Sequence, residues 1–323
     1  MSLFTKIEKK YNWELKAEPV RLNGGFMHKM YKIETEQGAY ALKLLNPFVM
    51  QRETAMDNYA KAEQIEILLE QQDIPILPAL SFNGRKMQEI DDEYFYLFDY
   101  FDGKPLKNNE ITEYHCRETG KILAKVHNID KRFENEDFVE MSIDWDFYLA
   151  EMEKADMRLY AMLKDSLPVI KDSQNKGNRA RKKLPKVLSI CHNDMDCKNV
   201  LWSENDYRII DLECLSYSNP FMELFELALC WSGYEDCQID FRLFQAFLQG
   251  YKNAGEELPA DWETLYDCSN GRLEWLEYNI KRVLGIDCGA DEKQIGVEQV
   301  EETIQHIIYY SSMRGQILEH CIV

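Results

Sequence analysis

No window of this 323-residue chain approaches the roughly 18 to 20 consecutive apolar residues that a helix needs to cross a bilayer. The amino-terminal stretch MSLFTKIEKKYNW has no apolar segment of the secretory kind. Nine cysteines are present, but none falls in a C-x-x-C pair or at zinc-ligand spacing. An odd count without a secretory signal predicts reduced thiols and a cytoplasmic protein with no membrane partner. Basic charge is scarce as well. Lys and Arg number 38 against 57 Asp and Glu, a formal charge of −19, which argues against a nucleic-acid partner because that needs a basic face. The same acidity attracts cationic partners, or simply keeps the chain in solution. No G-x-G-x-x-G loop occurs, and there is no internal repeat or low-complexity tract.

What remains is an ordinary globular composition in a chain long enough for two sub-domains. The first hundred residues predict strands around one helix. PVRLNGGFMHKMYKIET and GAYALKLL alternate and are broken by Gly24-Gly25 and Gln37-Gly38. DNYAKAEQIEILLEQQ, 57 to 72, reads as a helix with apolar positions at Ala60, Ile67 and Leu68. ILPALSF and EYFYLFDYF read as two further strands, and DGKPLK as a connector. Beyond it the pattern is helical over 110–129, 144–166, 220–232, 239–254, 260–285 and 291–319, interrupted only by VLSIC, NVLW and YRIIDL. The basic stretch KDSQNKGNRARKKLPK, 171 to 186, reads as a solvated loop between helices. The expected class is α+β, with a small β-rich lobe over 1–100 and a larger, mainly helical lobe over 101–323.

Chemistry concentrates in CHNDMDCKNVLW, where His192, Asp194 and Asn199 are spaced H-x-D-x-x-x-x-N, and in IIDLE, where Asp211 ends an apolar strand. Lys43 sits mid-strand in YALKLL. Phosphoryl transfer needs a cation for phosphate oxygens, oxygen ligands for Mg²⁺ and a carboxylate to orient the attacking hydroxyl. Lys43, Asn199 with Asp211, and Asp194 supply those three roles. An Asp buried at a strand's end is costly unless a metal relieves it. Glu213, two residues on, reads either as a further metal ligand or as a solvent-facing acid.

These motifs, with YLFDYFDGKPL and TGKILAKVHNID, resemble the aminoglycoside phosphotransferase and choline kinase family, small-molecule relatives of protein kinases. The resemblance covers most of the chain. It implies a bilobal protein-kinase-like fold that binds ATP (or GTP) and Mg²⁺. Asp194 would be the catalytic base, Asn199 and Asp211 the metal ligands, and Lys43 the contact to the α- and β-phosphates. A helix glutamate should pair with Lys43. Glu63 is preferred and Glu66 stays open. His192 would fix the loop through hydrogen bonds. Two departures stand out: LNGGFMHKMYKI lacks the glycine signature, and NPFMELFELAL has Glu223 where the family usually has Asp.

The acceptor that the resemblance implies is a small hydroxyl compound, cationic and aminoglycoside-like, with choline, ethanolamine or another metabolite as the alternative. Candidate linings are Trp231, Glu235, Glu274, Trp275 and Tyr278, since carboxylates suit amines and an aromatic cage suits a quaternary ammonium. Aromatic residues at helical spacing equally suit a core. A non-catalytic nucleotide-binding scaffold is the competing class, and it would be expected to lack the base or a metal ligand. A protein kinase is disfavoured by the absence of D-F-G and A-P-E.

Overall fold

Alternation along YALKLL and EYFYLFD builds the centre of an antiparallel five-stranded sheet, as the computed structural model of residues 2–22, 28–133, 140–286 and 292–322 shows. Asn23–Met27 of the expected nucleotide loop and Cys288 lie outside the described residues. The chain begins α1 (Leu3–Tyr11), β1 (Val20–Arg21), β2 (Lys29–Glu34), β3 (Ala39–Leu44), α2 (Pro47–Met50), α3 (Ala55–Gln71), β4 (Gln88–Ile90) and β5 (Glu93–Asp99). It continues α4 (Glu113–His127), β6 (Lys131–Arg132), α5 (Trp145–Ala155), α6 (Met157–Arg181), β7 (Leu188–Cys191), β8 (Val200–Trp202), β9 (Tyr207–Ile209) and β10 (Ser216–Ser218). Helices α7 (Pro220–Cys230), α8 (Phe241–Asn253), α9 (Trp262–Cys268), α10 (Arg272–Leu284) and α11 (Lys293–His320) complete it.

The chain divides into two compact units, Met1–Glu110 with Ile190–Tyr217, and Ile111–Ser189 with Ser218–Val323. The segment around Asp194 therefore groups with the amino-terminal sheet, whereas the sequence division at 100 assigned it to the helical lobe. In the first unit the sheet order is β1-β2-β3-β5-β4. Leu42 and Leu97 are cross-strand partners whose side chains meet Leu3 and Ile7 of α1 on one face. Each such buried side chain contributes about 1.5–3 kcal/mol. Lys43 and its partner Tyr96 turn to the other face, where Tyr96 packs with Leu45, Ala79 and Tyr59 of α3. The β8–β9 hairpin pairs Val200 with Ile209, and Ile209 is tied by backbone hydrogen bonds to Pro75 and Leu77 just beyond α3.

In the second unit α5, α6, α10 and α11 share one core that includes Trp145, Leu163, Leu276 and Ile304. Helices α4 and α8 meet closely at two glycines. A Cβ on Gly120 would lie 2.2 Å from the Phe247 carbonyl oxygen, and one on Gly250 2.2 Å from that of Arg117.

The α+β class stands, with a sheet-rich amino-terminal region and helical carboxyl-terminal region, but several elements differ from expectation. The amino terminus forms helix α1, closed by Asn12 in the left-handed region. ILPALSF makes isolated bridges at Ile76 and Phe82, and the next strand is β4. The prolines at 75 and 78 lack the N–H groups a ladder needs. The buried stripe of α3 is Tyr59, Ala62, Ile65, Glu66 and Leu69, while Ile67 is exposed. The expected helix over 144–166 is two, divided at an extended Asp156 whose carboxylate accepts from the Arg158 and Leu159 N–H groups. Most of the basic stretch is helix, the end of α6, and its lysines pair locally: Lys171 with Asp146, Lys176 with Asp172, Lys182 with Glu140.

Candidate active site

The hairpin register sets the site. Because Val200 opposes Ile209 and the Ile210 N–H donates to the Asn199 carbonyl, Asn199 and Asp211 emerge at the same end of β8–β9. Asp211 then adopts a left-handed backbone (φ 63°), a conformation that Asp tolerates better than most residues. Upstream, Asn193 is also left-handed, and its amide donates to the carbonyls of Cys191 and Cys214 and to the Ser216 hydroxyl. His192 Nε2 donates to the Ile210 carbonyl at 3.1 Å, and its Nδ1 accepts from the Asp194 N–H at 3.2 Å. These bonds brace the loop across both of its strands, the part expected of His192.

Asn199 lies in a 3₁₀ turn in which the Asp196 carboxylate accepts from the Lys198 N–H. Its amide nitrogen donates to the Asp194 carbonyl at 2.7 Å and to the Asp194 Oδ2 at 2.8 Å. Lys198 Nζ stands 3.5 Å from Asp194 and 2.7 Å from Asp196. Burial pushes the Asp194 carboxyl upward, and Asp196 and Asp211 add to it against the pull of Lys198.

Lys43 Nζ is 2.5 Å from Asp211 and 2.6 Å from Glu213. Burial alone would lower this ammonium, but the two carboxylates outweigh it and hold it charged. Burial would raise Glu213, yet the His28 hydrogen bond and the Lys43 charge hold it at about 2. His28 Nε2 reaches Glu213 at 3.2 Å, its Nδ1 accepts from the Asn46 N–H, and the Tyr59 hydroxyl donates to Glu213 at 3.4 Å.

The expected Glu63–Lys43 pair is not formed. Glu63 accepts from the Tyr96 hydroxyl at 2.8 Å and from the Met87 N–H. Tyr96 stands directly across from Lys43 on the same sheet face, so its phenol takes the carboxylate first. Glu66 accepts from Lys86 and from the Ala79 N–H. Among the described residues, the ion pairs of Lys43 run to Asp211 and Glu213. Sequence reasoning overlooked His28, Tyr59, Asn193 and Lys198. Only Asn193 and Lys198 carried a signal, by standing inside the polar loop itself.

The acceptor candidates all lie in the second unit. Trp231 is fully buried and packs the core, so it lines nothing open. Trp275 and Tyr278 are exposed and stacked at 5.4 Å, and Glu274 is exposed. Glu235 receives both its bonds from Arg272 at 2.6 Å. Glu235 and Trp275, with Glu226, Tyr234, Ser269 and Arg272, line a cavity of about 370 Å³. Burial raises the Glu226 carboxyl. Glu223 is buried and bonded to His127 at 2.7 Å, and His127 bonds in turn to Tyr251 at 2.9 Å.

Among the described residues no helix is long and apolar enough to cross a membrane. Comparison with curated proteins found no match in sequence. Among solved structures the chain is similar to a spectinomycin phosphotransferase in complex with ADP and spectinomycin, at 15% identity and a TM-score of 0.69, over 96% of this chain and 99% of that one. It is similar to an amicoumacin kinase bound to AMP-PNP and Ca²⁺ at 15% identity and a TM-score of 0.62, over 94% of each. A Plasmodium vivax ethanolamine kinase matches at 15% identity and a TM-score of 0.55, over 93% of this chain and 83% of that one. At such identity the likeness speaks for the fold, which is kinase-like. The phosphotransferase enzyme family (APH) matches residues 18–266, well over half of the sequence. The chain therefore belongs to the phosphotransferase enzyme family, and the protein is a small-molecule kinase.

Proposed function

We propose that the protein transfers the γ-phosphate of magnesium-bound ATP, or GTP, to a hydroxyl of a small cationic molecule of the aminoglycoside kind. One observation carries the reading: within a single unit, Lys43 is 2.5 Å from Asp211 and Asn199 is 2.8 Å from Asp194. The donor set fits magnesium. Asn199 commits its amide nitrogen to Asp194, which leaves Oδ1 as its ligating atom, and the Asp211 carboxylate adds a second hard oxygen. When bound, the magnesium nucleotide supplies the phosphoryl group and part of the charge that offsets these carboxylates. Asp194 would orient the acceptor hydroxyl and take its proton, and Lys43 would turn from Asp211 to phosphate oxygens.

A cationic acceptor is supported by the two carboxylates, Glu226 and Glu235, that line the 370 Å³ cavity with Trp275, once Glu235 exchanges its Arg272 partner for the amine. Spectinomycin and ethanolamine, for which two structural relatives are named, are both amine-bearing alcohols. The exposed Trp275–Tyr278 stack favours choline or ethanolamine as the second reading.

A coupled ADP-release screen over aminoglycosides, choline, ethanolamine, amino sugars and homoserine tests this. The expected result is turnover with a cationic alcohol, lowered about 10²- to 10⁴-fold by Asp194→Ala while nucleotide binding persists. Normal turnover by Asp194→Ala removes the base assignment. Nucleotide binding with every alcohol inert moves the protein to the scaffold class.

A further inference from the structure

We infer that Glu213, held by His28 and Tyr59, is the positioning counter-ion of Lys43 in this chain, and that the helix α3 glutamates have other work. The inference rests on the kinase reading and assigns within its site a residue role that the reading leaves open. A lysine that grips phosphates needs a fixed acid beside it, or its four-carbon stem swings freely. In this chain α3 presents two glutamates, and both are engaged. Glu63 closes the sheet through Tyr96 and Met87, and Glu66 receives Lys86 and the Ala79 N–H.

Glu213 is built to take the vacated role. Its carboxylate lies 2.6 Å from Lys43 Nζ and accepts from two further donors, His28 Nε2 at 3.2 Å and the Tyr59 hydroxyl at 3.4 Å. Each donor is itself fixed. His28 is buried, and the Asn46 N–H occupies its Nδ1, which leaves the proton on Nε2 facing Glu213. Tyr59 is buried on α3 and packs against Tyr96, 6.0 Å between ring centroids. Helix α3 therefore still governs Lys43, through a tyrosine hydroxyl and an acid from the far end of the β8–β9 hairpin. Asp211, which shares Lys43, has no such donors from α3 among the described residues.

A double-mutant cycle read by a fluorescent ADP analogue with Mg²⁺ decides the point. Glu213→Gln keeps the size of the side chain and a carbonyl oxygen for His28 and Tyr59, so a merely structural role survives it. The expected result is a Kd about tenfold weaker in the wild-type background and less than about twofold weaker in a Lys43→Met background. Glu213→Asp, which keeps the charge, recovers part of the loss. Tyr59→Phe, which preserves the ring packing, gives about threefold, and this too disappears without Lys43. Glu63→Gln adds independently to Lys43→Met. Equal losses for Glu213→Gln in both backgrounds, with a higher Mg²⁺ requirement, would make Glu213 a metal ligand and overturn the assignment. Coupling of Glu63 rather than Glu213 to Lys43 would overturn it as well. A wild-type protein that binds no nucleotide would instead remove the kinase reading beneath it.

Discussion

Lys86 shows what a single buried charge does here. It is 7% exposed and donates to Glu66, itself 5% exposed, and to Glu70. Glu66 is raised by burial, with Lys86 and the Ala79 N–H pulling it back. Lys86→Met leaves that acid without a cation and should cost about 3–5 kcal/mol near neutral pH. The sign of its pH dependence follows. A carboxylate whose folded value lies above its unfolded one contributes full stability below the unfolded value and loses it as pH rises through the folded value. Removing Lys86 widens that gap, so the deficit should shrink on acidification. Urea unfolding of both proteins near pH 7.5 and pH 5 measures it, and a deficit that grows at the lower pH refutes the argument. Glu63 and Glu66 also mark where residue-level reading stopped. Spacing placed both on α3, but which one a lysine meets depends on Tyr96, a partner across the sheet that no local pattern specifies.

At the level of elements, the starts of α4, α5, α7, α8, α9 and α11 were legible to within about three residues, whereas α1 and the breaks inside 144–166 and 260–285, where α6 and α10 begin, were not. Asp261 begins α9 by accepting from the Thr264 N–H at 3.0 Å and the Thr264 hydroxyl at 2.7 Å. The backbone bond first, and the hydroxyl next, hold the Asp261 carboxyl below its ordinary value. Asp261→Ala should cost about 1 kcal/mol near neutral pH. A depressed carboxyl contributes stability that is present above the unfolded value and lost as pH falls through the folded one, so the difference between the proteins should close in acid. Thermal unfolding across pH 3–7 checks it, and a gap that persists at the acid end counts against the cap. The split of 144–166 was hidden because Asp156 is both the end of α5 and the cap of α6, with no proline or glycine to announce it. The helix over 171–181 was missed because lysine and arginine were read as loop charge, although both are good helix formers.

For the molecule as a whole, ligand linkage is the broadest test. A nucleotide that binds only the folded state at about 100 times its Kd adds about 2.7 kcal/mol. Mg²⁺ with ADP should therefore raise the Tm by several degrees, and Asp211→Ala should remove the part of the rise that depends on metal. An undiminished metal-dependent rise in Asp211→Ala would exclude Asp211 as a ligand. The change from a sheet-rich to a helical region was legible where strand pattern gives way to helix pattern near residue 100, and the motifs were legible because each joins several chemically unusual residues over a short span. The grouping of 190–217 with the sheet was not, since it depends on contacts between segments far apart along the chain.

That grouping has a consequence for biosynthesis. The ribosome releases Lys43 long before Asp211 and Glu213, and the whole of 111–189 emerges between them. Until residue 213 is out, the nascent sheet carries an ammonium on the face that Tyr96 shares, without its two neutralising acids. Completion of the first unit is thus postponed to the later part of translation, and a truncated chain ending at 110 would hold Lys43 without either of its carboxylate partners.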